Sequence, residues 1–222
     1  MAKGLFVTGT GTDIGKTYVT GLIVKKMRQS GYPAGYYKAA VSGADSVQSS
    51  DAGYVNRFAD IGETDEELLS YLYKTAVSPH LAARLEGNPV KKDKVIADYQ
   101  RTKKHYAYMT VEGSGGIICP IRHDQEARCF LEDVIRWLHV PAVVVSPSGL
   151  GSINDAVLTV FYMEKRGIPV GGIFMNHYHG GVMEEDNVRM IEEITGKKVL
   201  ALIRDGDREL NMDIRVLAEL YQ

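Results

Sequence analysis

Short apolar stretches alternate along most of the chain with longer segments in which apolar residues recur every three or four positions. The short stretches predict buried strands, and the helical spacing predicts helices between them. We predict six strands, at residues 5–7, 35–39, 108–112, 141–146, 172–176 and 199–203. Because strands and helices alternate, we expect a doubly wound, mostly parallel sheet with helices on both faces.

Capping residues and apolar spacing locate the predicted helices. The first helix is expected from Lys16 to Ser30, since Gly31 and Pro33 prevent it from continuing. A later helix is expected to take Ser152 as its N-cap. The remaining predicted helices begin near Asp51 and Pro79 or cover about residues 91–104, 130–138, 188–195 and 211–222.

A glycine-rich loop joins the first predicted strand to the first predicted helix, with the sequence Gly9-Thr10-Gly11-Thr12-Asp13-Ile14-Gly15-Lys16-Thr17. Glycines allow backbone N–H groups to turn toward one point, where the N-terminus of the helix adds positive potential. Lys16 can then reach the β- and γ-phosphates of a nucleotide, and the Thr17 hydroxyl can ligate Mg²⁺. The order strand, glycine loop and helix therefore favours a phosphate-binding loop over a tight turn with a surface lysine.

Polar side chains also stand at the carboxyl ends of later predicted strands, where open α/β sheets bind ligands. Glu112 precedes the glycine cluster 113–116, and a carboxylate in that position suits Mg²⁺ coordination. Asn176 ends another strand, and its amide offers both a donor and an acceptor to a base. Lys38 ends the second strand and could bind a ligand there. Judged from this residue alone, a lysine that is exposed to solvent and caps the strand remains an alternative.

Two further segments are candidates for binding. The sequence Gly149-Leu150-Gly151-Ser152-Ile153-Asn154 opens a predicted helix, whose free N–H groups form a second possible anion site. His177 and His179 follow Asn176 in a loop. With no third ligand nearby, we interpret them as polar loop residues and not as metal ligands.

Composition narrows the function classes. The chain has 222 residues, of which 45% are hydrophobic and 24% charged, as expected for one globular domain spanning residues 1–222. A net charge of -2 argues against a dedicated nucleic-acid binder. No apolar run is long enough to span a membrane, and the chain starts almost directly in a strand, so we expect no signal peptide. Cys119 and Cys129 are interpreted as reduced thiols of a cytoplasmic protein.

The glycine-rich loop, the strand ends with Lys38, Glu112 and Asn176, and the segment 149–154 occur together in this chain. In this combination they resemble the dethiobiotin synthetase family, the ATP-dependent ligases of biotin synthesis. The resemblance runs in family order from residue 5 to about residue 176, and the final 45 residues match loosely. It implies a P-loop fold around a seven-stranded sheet, and a homodimer with active sites at the subunit interface. The residues that carry it are 8–17, 35–38 with 42–43, 50–52, 78–80, 111–116, 149–154 and Asn176.

The resemblance also implies a reaction. CO₂ joins 7,8-diaminononanoate as a carbamate, and ATP phosphorylates that carbamate to a mixed anhydride. The second amine then closes the ureido ring, and ADP and phosphate leave. The implied partners are these small molecules with ATP and Mg²⁺, and neither a nucleic acid nor a membrane.

The resemblance implies a role for each matched residue. Lys16 and Lys38 supply positive charge, and Thr12 and Ser42 form hydrogen bonds to the reacting groups. The implied Mg²⁺ ligands are Thr17, Asp51 and Glu112. The implied nucleotide contacts are Asp13, Ile14, Gly15, Tyr18, Gly113, Ser114, Gly115, Asn176, His177, Arg204, Asp205 and Gly206. The implied contacts to the substrate's distal carboxylate, from the other subunit, are Gly151, Ser152, Ile153 and Asn154.

Four positions depart from the family pattern. Asp13 stands where glutamate is frequent, Ala39 replaces a proline and Ser114 replaces an alanine. Arg204 lies where an Ile-Pro pair usually leads toward the base, so the departures bear mainly on the nucleotide contacts.

Two other classes share this type of fold. Switch ATPases of the partitioning or septum-positioning type usually carry a lysine directly after the first glycine of the loop, where this chain has Thr10. They also tend to carry a basic DNA-binding patch or a terminal membrane helix, and residues 211–222 are not strongly basic. A related amide-forming ligase that acts on a different acid remains the second alternative.

Overall fold

The computed structural model describes residues 2–222. Its strands are β1 (Lys3–Gly9), β2 (Ala34–Ser42), β3 (Leu69–Tyr73), β4 (Tyr108–Glu112), β5 (Pro120–His123), β6 (Arg128–Phe130), β7 (Ala142–Pro147), β8 (Val170–Asn176) and β9 (Val199–Leu202). Its helices are α1 (Lys16–Gln29), α2 (Asp51–Phe58), α3 (Asp65–Leu68), α4 (Pro79–Leu85), α5 (Lys92–Lys103), α6 (Leu131–Leu138), α7 (Ser152–Lys165), α8 (Val182–Thr195) and α9 (Ile214–Glu219).

Seven strands form one sheet in the order β3-β2-β4-β1-β7-β8-β9, and every neighbouring pair is parallel. All six predicted strands belong to it, which confirms the doubly wound parallel architecture. β1 lies at its centre, because the chain adds strands first on one side of β1 and later on the other. Sheets of this kind bind ligands outside the carboxyl ends of the strands where the order reverses.

Helices cover both faces of the sheet, as predicted. One face packs against α1, α2 and α9, with Val19 and Leu217 completely buried. The other face packs against the helices from α4 to α8, with Tyr99 and Val160 completely buried. Because both faces are covered, the inner strands are mostly apolar, and Lys38 of β2 and Glu112 of β4 are buried charged exceptions. No helix within residues 2–222 is long and apolar enough to cross a lipid bilayer.

The sequence patterns missed the edge strand β3 and a small antiparallel hairpin, β5–β6. β3 pairs only with β2, and its buried residues Leu69, Tyr71 and Tyr73 alternate with half-buried ones. That period of two is typical of an edge strand, but the strand has only five residues and follows directly on the acidic helix α3. β3 is the seventh strand that the family resemblance implied.

Two boundaries at the carboxyl edge differ from the prediction. β2 does not end at Lys38 but continues to Ser42, because β3 pairs with it up to that residue. Ser152 is not the N-cap of α7: Gly151 occupies that position with φ 92°, a left-handed conformation that favours glycine. Ser152 is instead the first residue of the helix.

The C-terminal helix is also shorter than predicted. α9 covers only Ile214–Glu219, because Asp213 caps it by accepting the backbone N–H of Arg215. The chain then returns to the sheet, where the Gln222 carbonyl oxygen accepts the Gly4 N–H at 2.6 Å. The Gln222 N–H donates to the Gly4 carbonyl oxygen at 3.1 Å and is therefore not available to continue the helix.

Strand register brings the second lysine to the first carboxylate. Lys38 of β2 is paired with Glu112, the last residue of β4, and Glu112 is paired with Val7 of β1. Residues opposite each other on adjacent parallel strands point to the same face of the sheet. That face is the one covered by α1, the helix that begins at Lys16.

A buried carboxyl group, that of Glu63 in the loop between α2 and α3, lies against the start of β2. Glu63 is 6% exposed, and its Oε1 accepts the Tyr36 N–H at 3.1 Å. Its Oε2 has no hydrogen-bond partner within residues 2–222. Burial raises the pKa of Glu63 to about 8, although the Tyr36 hydrogen bond opposes the shift. The carboxyl is therefore neutral in the folded protein over a pH range in which the unfolded chain ionises it.

We expect Glu63 to make the protein less stable as pH rises. Between the unfolded pKa and the folded pKa the native state binds one more proton, so the free energy of unfolding falls by roughly 3 kcal/mol from pH 5 to pH 8. Glu63→Gln should remove most of this slope, because the amide keeps the Tyr36 hydrogen bond without ionising. Urea unfolding at the two pH values measures it. Glu66→Gln, at an exposed position of α3, is the matched control and should leave the slope unchanged; equal slopes in all three proteins contradict the assignment.

Candidate active site

The carboxyl ends of β1, β2 and β4 open into a cleft of about 820 Å³. It is lined by most of the residues selected from the sequence: Thr12, Asp13, Gly15, Lys16, Thr17, Lys38, Ser42, Asp51, Glu112, Gly113, Ser114, Gly115 and His177. Chain segments separated by more than a hundred residues thus meet at one place. The prediction that these polar residues converge on one edge of the sheet is correct for this set.

Lys38 lies between two carboxylates at the floor of the cleft. Its Nζ is 2.7 Å from Glu112 Oε1 and 2.6 Å from Asp51 Oδ2. The side chains of Lys38 and Glu112 are 3% and 0% exposed, whereas that of Asp51 is 49% exposed. The pair formed by Lys38 and Glu112 is therefore shielded from water, and Asp51 forms the side of the cluster that faces the cleft.

Glu112 accepts two further hydrogen bonds. The Thr17 hydroxyl donates to Oε1 at 2.7 Å, and the Tyr36 hydroxyl donates to Oε2 at 2.9 Å. Tyr36 was not selected from the sequence, although it lies two residues before Lys38 on β2 and so points to the same face. That spacing is the signal that could have found it.

The charges of this cluster reinforce one another. Burial opposes the charge on Lys38, but Glu112 and Asp51 outweigh that effect and raise its pKa. The positive charge of Lys38 is the main cause that lowers the pKa of Asp51. Lys38 therefore stays protonated, so it can supply positive charge but cannot act as a base.

Lys16 contributes the second positive charge. Its Nζ donates to the Gly11 carbonyl oxygen of the glycine loop at 2.6 Å. Burial, followed by repulsion from Lys38, lowers the pKa of Lys16. Repulsion between the two lysines shows that their charges act on the same space, where an anion would relieve it.

The glycine loop has an unusual backbone. Asp13 adopts φ 56°, a left-handed conformation that is uncommon outside glycine, and Gly15 adopts φ 82°. A Cβ on Gly15 would lie 2.1 Å from Asn176 Nδ2. Both the φ angle and this close approach require glycine. Strain of this kind is typical of binding loops.

Asn176 connects the end of β8 to the glycine loop. Its Nδ2 donates to the Ile14 carbonyl oxygen at 3.0 Å. Its Oδ1 is buried and has no hydrogen-bond partner in the part of the chain that the structure describes. The amide is thus held in one orientation that leaves an acceptor free.

The remaining nucleotide candidates gather beyond β8 and β9. His177 Nδ1 lies 2.6 Å from Asp205 Oδ1, and the Arg204 guanidinium lies 6.0 Å from the centre of the Tyr178 ring. The Tyr18 hydroxyl donates to the carbonyl oxygen of Asp207, one residue after Gly206. These contacts place Tyr18 of α1, His177, Arg204 and Asp205 around one surface next to the glycine loop.

Residues 151–154 are not among those that line this cleft. They begin α7, where Leu150 is 95% exposed and Asn154 is also exposed. Leu158 and Phe161 continue the exposed face of α7 at helical spacing, and they are 60% and 46% exposed. The exposed start of α7 therefore lies next to an exposed stripe of apolar side chains, formed by Leu158 and Phe161.

The loop between β3 and α4 supplies a wall of the cleft that sequence reasoning did not assign to the site. It contributes Ala76, Val77, Ser78 and Pro79. The Ser42 hydroxyl donates to the Val77 carbonyl oxygen at 2.6 Å, which fixes this wall to the end of β2. The sequence indicated a helix start at residues 78–80 and a match to the family there, but no role in the site.

The oxygen donors in the cleft fit Mg²⁺ together with a nucleotide. Thr17, Asp51 and Glu112 present a hydroxyl and two carboxylates around one point, and Mg²⁺ favours one or two carboxylates with phosphate oxygens and water. Within residues 2–222 no three His, Cys, Asp or Glu side chains gather into a metal cage. The protein donors therefore suit a cation that arrives with phosphate ligands.

Comparisons with known proteins agree with this geometry. A family model described as an AAA domain matches residues 3–207. The ATP-dependent dethiobiotin synthetase BioD of Brachyspira hyodysenteriae is 49% identical over 223 residues, covering 100% of both chains. The protein of the same name from Clostridium botulinum strain Eklund 17B is 44% identical over 226 residues, covering 100% of this chain and 99% of its own.

Solved structures with the same fold are more distant. The MinC:MinD cell division complex of Aquifex aeolicus matches with a TM-score of 0.60 and 14% identity, covering 93% of this chain and 83% of that chain. The septum site-determining protein MinD of Pyrococcus horikoshii, complexed with Mg-ADP, matches with a TM-score of 0.56 and 12% identity, covering 92% and 82%. At these identities the likeness shows the P-loop NTPase fold alone.

The buried ion pair generates a prediction about stability. Lys38→Met leaves Glu112 buried without its cation and should lower the free energy of unfolding by about 3 kcal/mol. Asp51→Asn removes the half-exposed partner and should cost less than about 1 kcal/mol. The double variant Lys38→Met/Glu112→Gln should recover much of the loss. Urea unfolding of the three variants measures these values; a Lys38→Met variant as stable as Asp51→Asn contradicts the pairing.

Proposed function

Because the chain belongs to the ATP-dependent dethiobiotin synthetase family, we propose that it makes dethiobiotin from 7,8-diaminononanoate, CO₂ and ATP. Its relatives are ligases that form carbon–nitrogen bonds. The observation that carries the proposal is the buried Lys38, which faces the same cleft as the phosphate-loop Lys16. Residues 1–222 act as one ligase domain, and the site of action is the cytoplasm.

ATP binds with its phosphates over the glycine loop and the N-terminus of α1. Lys16 exchanges the Gly11 carbonyl oxygen for phosphate oxygens, which relieves its repulsion from Lys38. Gly113 and Gly115 line the other side of this space. Thr17, Asp51 and Glu112 hold Mg²⁺, which neutralises phosphate charge when bound.

Asn176 reads the base. One N–H of its Nδ2 donates to the Ile14 carbonyl oxygen, and its Oδ1, which has no hydrogen-bond partner within residues 2–222, can accept a hydrogen bond from the base. Adenine presents an exocyclic amino group to such an acceptor, whereas guanine presents a carbonyl oxygen that repels it. His177, Arg204 and Asp205 enclose the same surface.

The chemistry proceeds in three steps. One amine of the substrate attacks CO₂, forms a C–N bond and loses a proton to give a carbamate. A carbamate oxygen attacks the γ-phosphorus, and ADP leaves with the electrons of the broken P–O bond. The second amine then attacks the carbonyl carbon and loses a proton while phosphate leaves, which closes the five-membered ureido ring.

The protein holds two anions together during these steps. Lys38, kept protonated by Glu112 and Asp51, places positive charge next to the carbamate, and Lys16 does the same for the γ-phosphate. Thr12 and Ser42 form hydrogen bonds to the carbamate or to the phosphoryl group in transfer. Ring closure within one molecule then requires mainly orientation.

The substrate's distal carboxylate binds to the start of α7 in the partner subunit of a homodimer. Within this segment the Ser152 N–H donates to the Gly149 carbonyl oxygen at 3.2 Å, and the N–H groups of Ile153 and Asn154, at the N-terminus of a fourteen-residue helix, are the ones suited to an anion. The neighbouring exposed side chains of Leu158 and Phe161 are apolar surface that a subunit contact would cover. Each complete site then contains Lys38 from one chain and residues 151–154 from the other.

Product formation tests the proposed function directly. Purified protein with diaminononanoate, bicarbonate, ATP and Mg²⁺ should yield dethiobiotin and one ADP per ring. Lys38→Met should bind ATP with an affinity within about threefold of the unsubstituted protein, because Lys38 meets the carbamate, but should lose product formation by at least about a hundredfold. Calorimetric titration of the folded variant with ATP and a product assay measure the two effects. Loss of ATP binding with residual ligation contradicts the role of Lys38.

Subunit exchange tests whether the site is shared. Asn154→Asp places a negative charge beside the bound carboxylate at an exposed position, and Lys38→Met disables the other half of the site. In a mixed dimer one site carries both changes and the other carries neither. After exchange of equal amounts in a two-fold symmetric dimer, about a quarter of the unsubstituted activity should return. Confirmed exchange with activity at the level of the parents locates the carboxylate pocket within one chain.

A further inference from the structure

We infer that Asn187 and Glu184, two buried residues of α8, are positioning residues that hold the start of α7 in the geometry required by the substrate's distal carboxylate. The inference rests on the proposed function, in which residues 151–154 bind that carboxylate. Neither residue lines the cleft, so each acts through the loop that it contacts. That loop, residues 148–151, is called here the α7 entry loop.

Asn187 holds the entry loop by its backbone. Its Nδ2 donates to the carbonyl oxygens of Ser148 at 2.9 Å and Gly149 at 3.1 Å. Asn187 is 7% exposed, so both hydrogen bonds are largely protected from water. The next residue, Leu150, is 95% exposed and makes little packing contact. One amide group therefore fixes two successive peptide units immediately before the N-cap of α7.

Glu184 holds the same loop through the side-chain hydroxyl of Ser148. Its Oε1 accepts from the Ser148 hydroxyl at 2.8 Å, and its Oε2 accepts from the backbone N–H groups of His179 at 2.8 Å and Gly180 at 2.6 Å. Glu184 is 4% exposed and forms no ion pair within residues 2–222. Burial opposes its charge, but these three donors outweigh that effect and lower its pKa. A buried carboxylate that is stabilised mainly by hydrogen bonds must keep those bonds to remain buried.

Ser148 joins the entry loop to the loop that carries the base contacts. Its N–H donates to the Asn176 carbonyl oxygen at 3.0 Å, and its hydroxyl also lies 2.9 Å from the carbonyl oxygen of His177. The start of α7, the end of β8 and the start of α8 therefore form one hydrogen-bonded unit. Loss of either anchor should move the N–H groups of α7, whereas Lys38, Glu112 and Asp51 contact neither anchor and should keep their positions.

Asn187→Asp tests the inference with almost no change in shape. A carboxylate oxygen replaces the donor opposite two carbonyl oxygens, so the entry loop must move away. We expect the KM for diaminononanoate to rise by about tenfold or more, equivalent to at least one lost hydrogen bond to an ion, while the KM for ATP stays within about twofold. Steady-state kinetics with each substrate varied in turn give both values.

A diamine without a carboxylate separates positioning from a general loss of structure. An alkane with a vicinal diamine, such as 2,3-diaminononane, should bind weakly to the unsubstituted protein and equally weakly to Asn187→Asp.

Variants of Glu184 test the second anchor. Glu184→Gln should keep a KM for diaminononanoate close to that of the unsubstituted protein, because its amide can accept from His179 and donate to the Ser148 hydroxyl. Glu184→Ala should resemble Asn187→Asp, and Glu185→Gln at the exposed neighbouring position is the control.

Three outcomes decide the inference. A selective rise in the KM for diaminononanoate supports it. An unchanged KM in a folded Asn187→Asp variant overturns it, as does an equal loss toward both diamines and ATP. If the unsubstituted protein forms no dethiobiotin, the proposed function fails first, and the two failures are distinguishable.

Discussion

Lys38 lies with its ammonium group between Glu112 and Asp51, out of contact with water, at the level where β4 ends. The parallel register of β2 and β4 sets that position, since it places the two residues opposite each other on the face covered by α1. A buried carboxylate and a buried ammonium are each costly alone, so the burial of each side chain depends on the other. The fold of the cleft and its electrostatic character therefore depend on the same contact.

The two lysines and Thr17 have hydrogen-bond partners within the protein. Lys16 donates to Gly11, Thr17 donates to Glu112, and Lys38 bridges its two carboxylates. The side chains in these contacts are also the ones that the proposed reaction uses. Binding of two anions then exchanges internal acceptors for external ones, which lowers the energetic cost of removing the phosphates and the carbamate from water. Asp51, the most exposed member, is the group through which that exchange can begin.

The sequence was most informative where a local pattern determines a local structure. The glycine loop can be recognised from its own residues and the two elements that flank it. Lys38, Glu112 and Asn176 can be recognised because they are polar residues at or near strand ends. Contacts between distant segments gave no such signal. Glu184 and Asn187 look like ordinary polar positions of an amphipathic helix, and only the folded chain brings them to Ser148. The edge strand β3 was missed because one-sided pairing leaves a short, alternating pattern instead of an apolar run.

In the proposed reaction the two lysines bring a carbamate to the γ-phosphate of ATP, so that a carbamate oxygen attacks phosphorus. Atom balance then requires one oxygen of CO₂ to leave in the inorganic phosphate. A short reaction with fully ¹⁸O-labelled bicarbonate in unlabelled water, followed by mass spectrometry of the phosphate, measures this transfer. We expect one ¹⁸O atom in each phosphate released with a ring, after correction for exchange with water. Phosphate without label, at an unchanged yield of dethiobiotin, contradicts it.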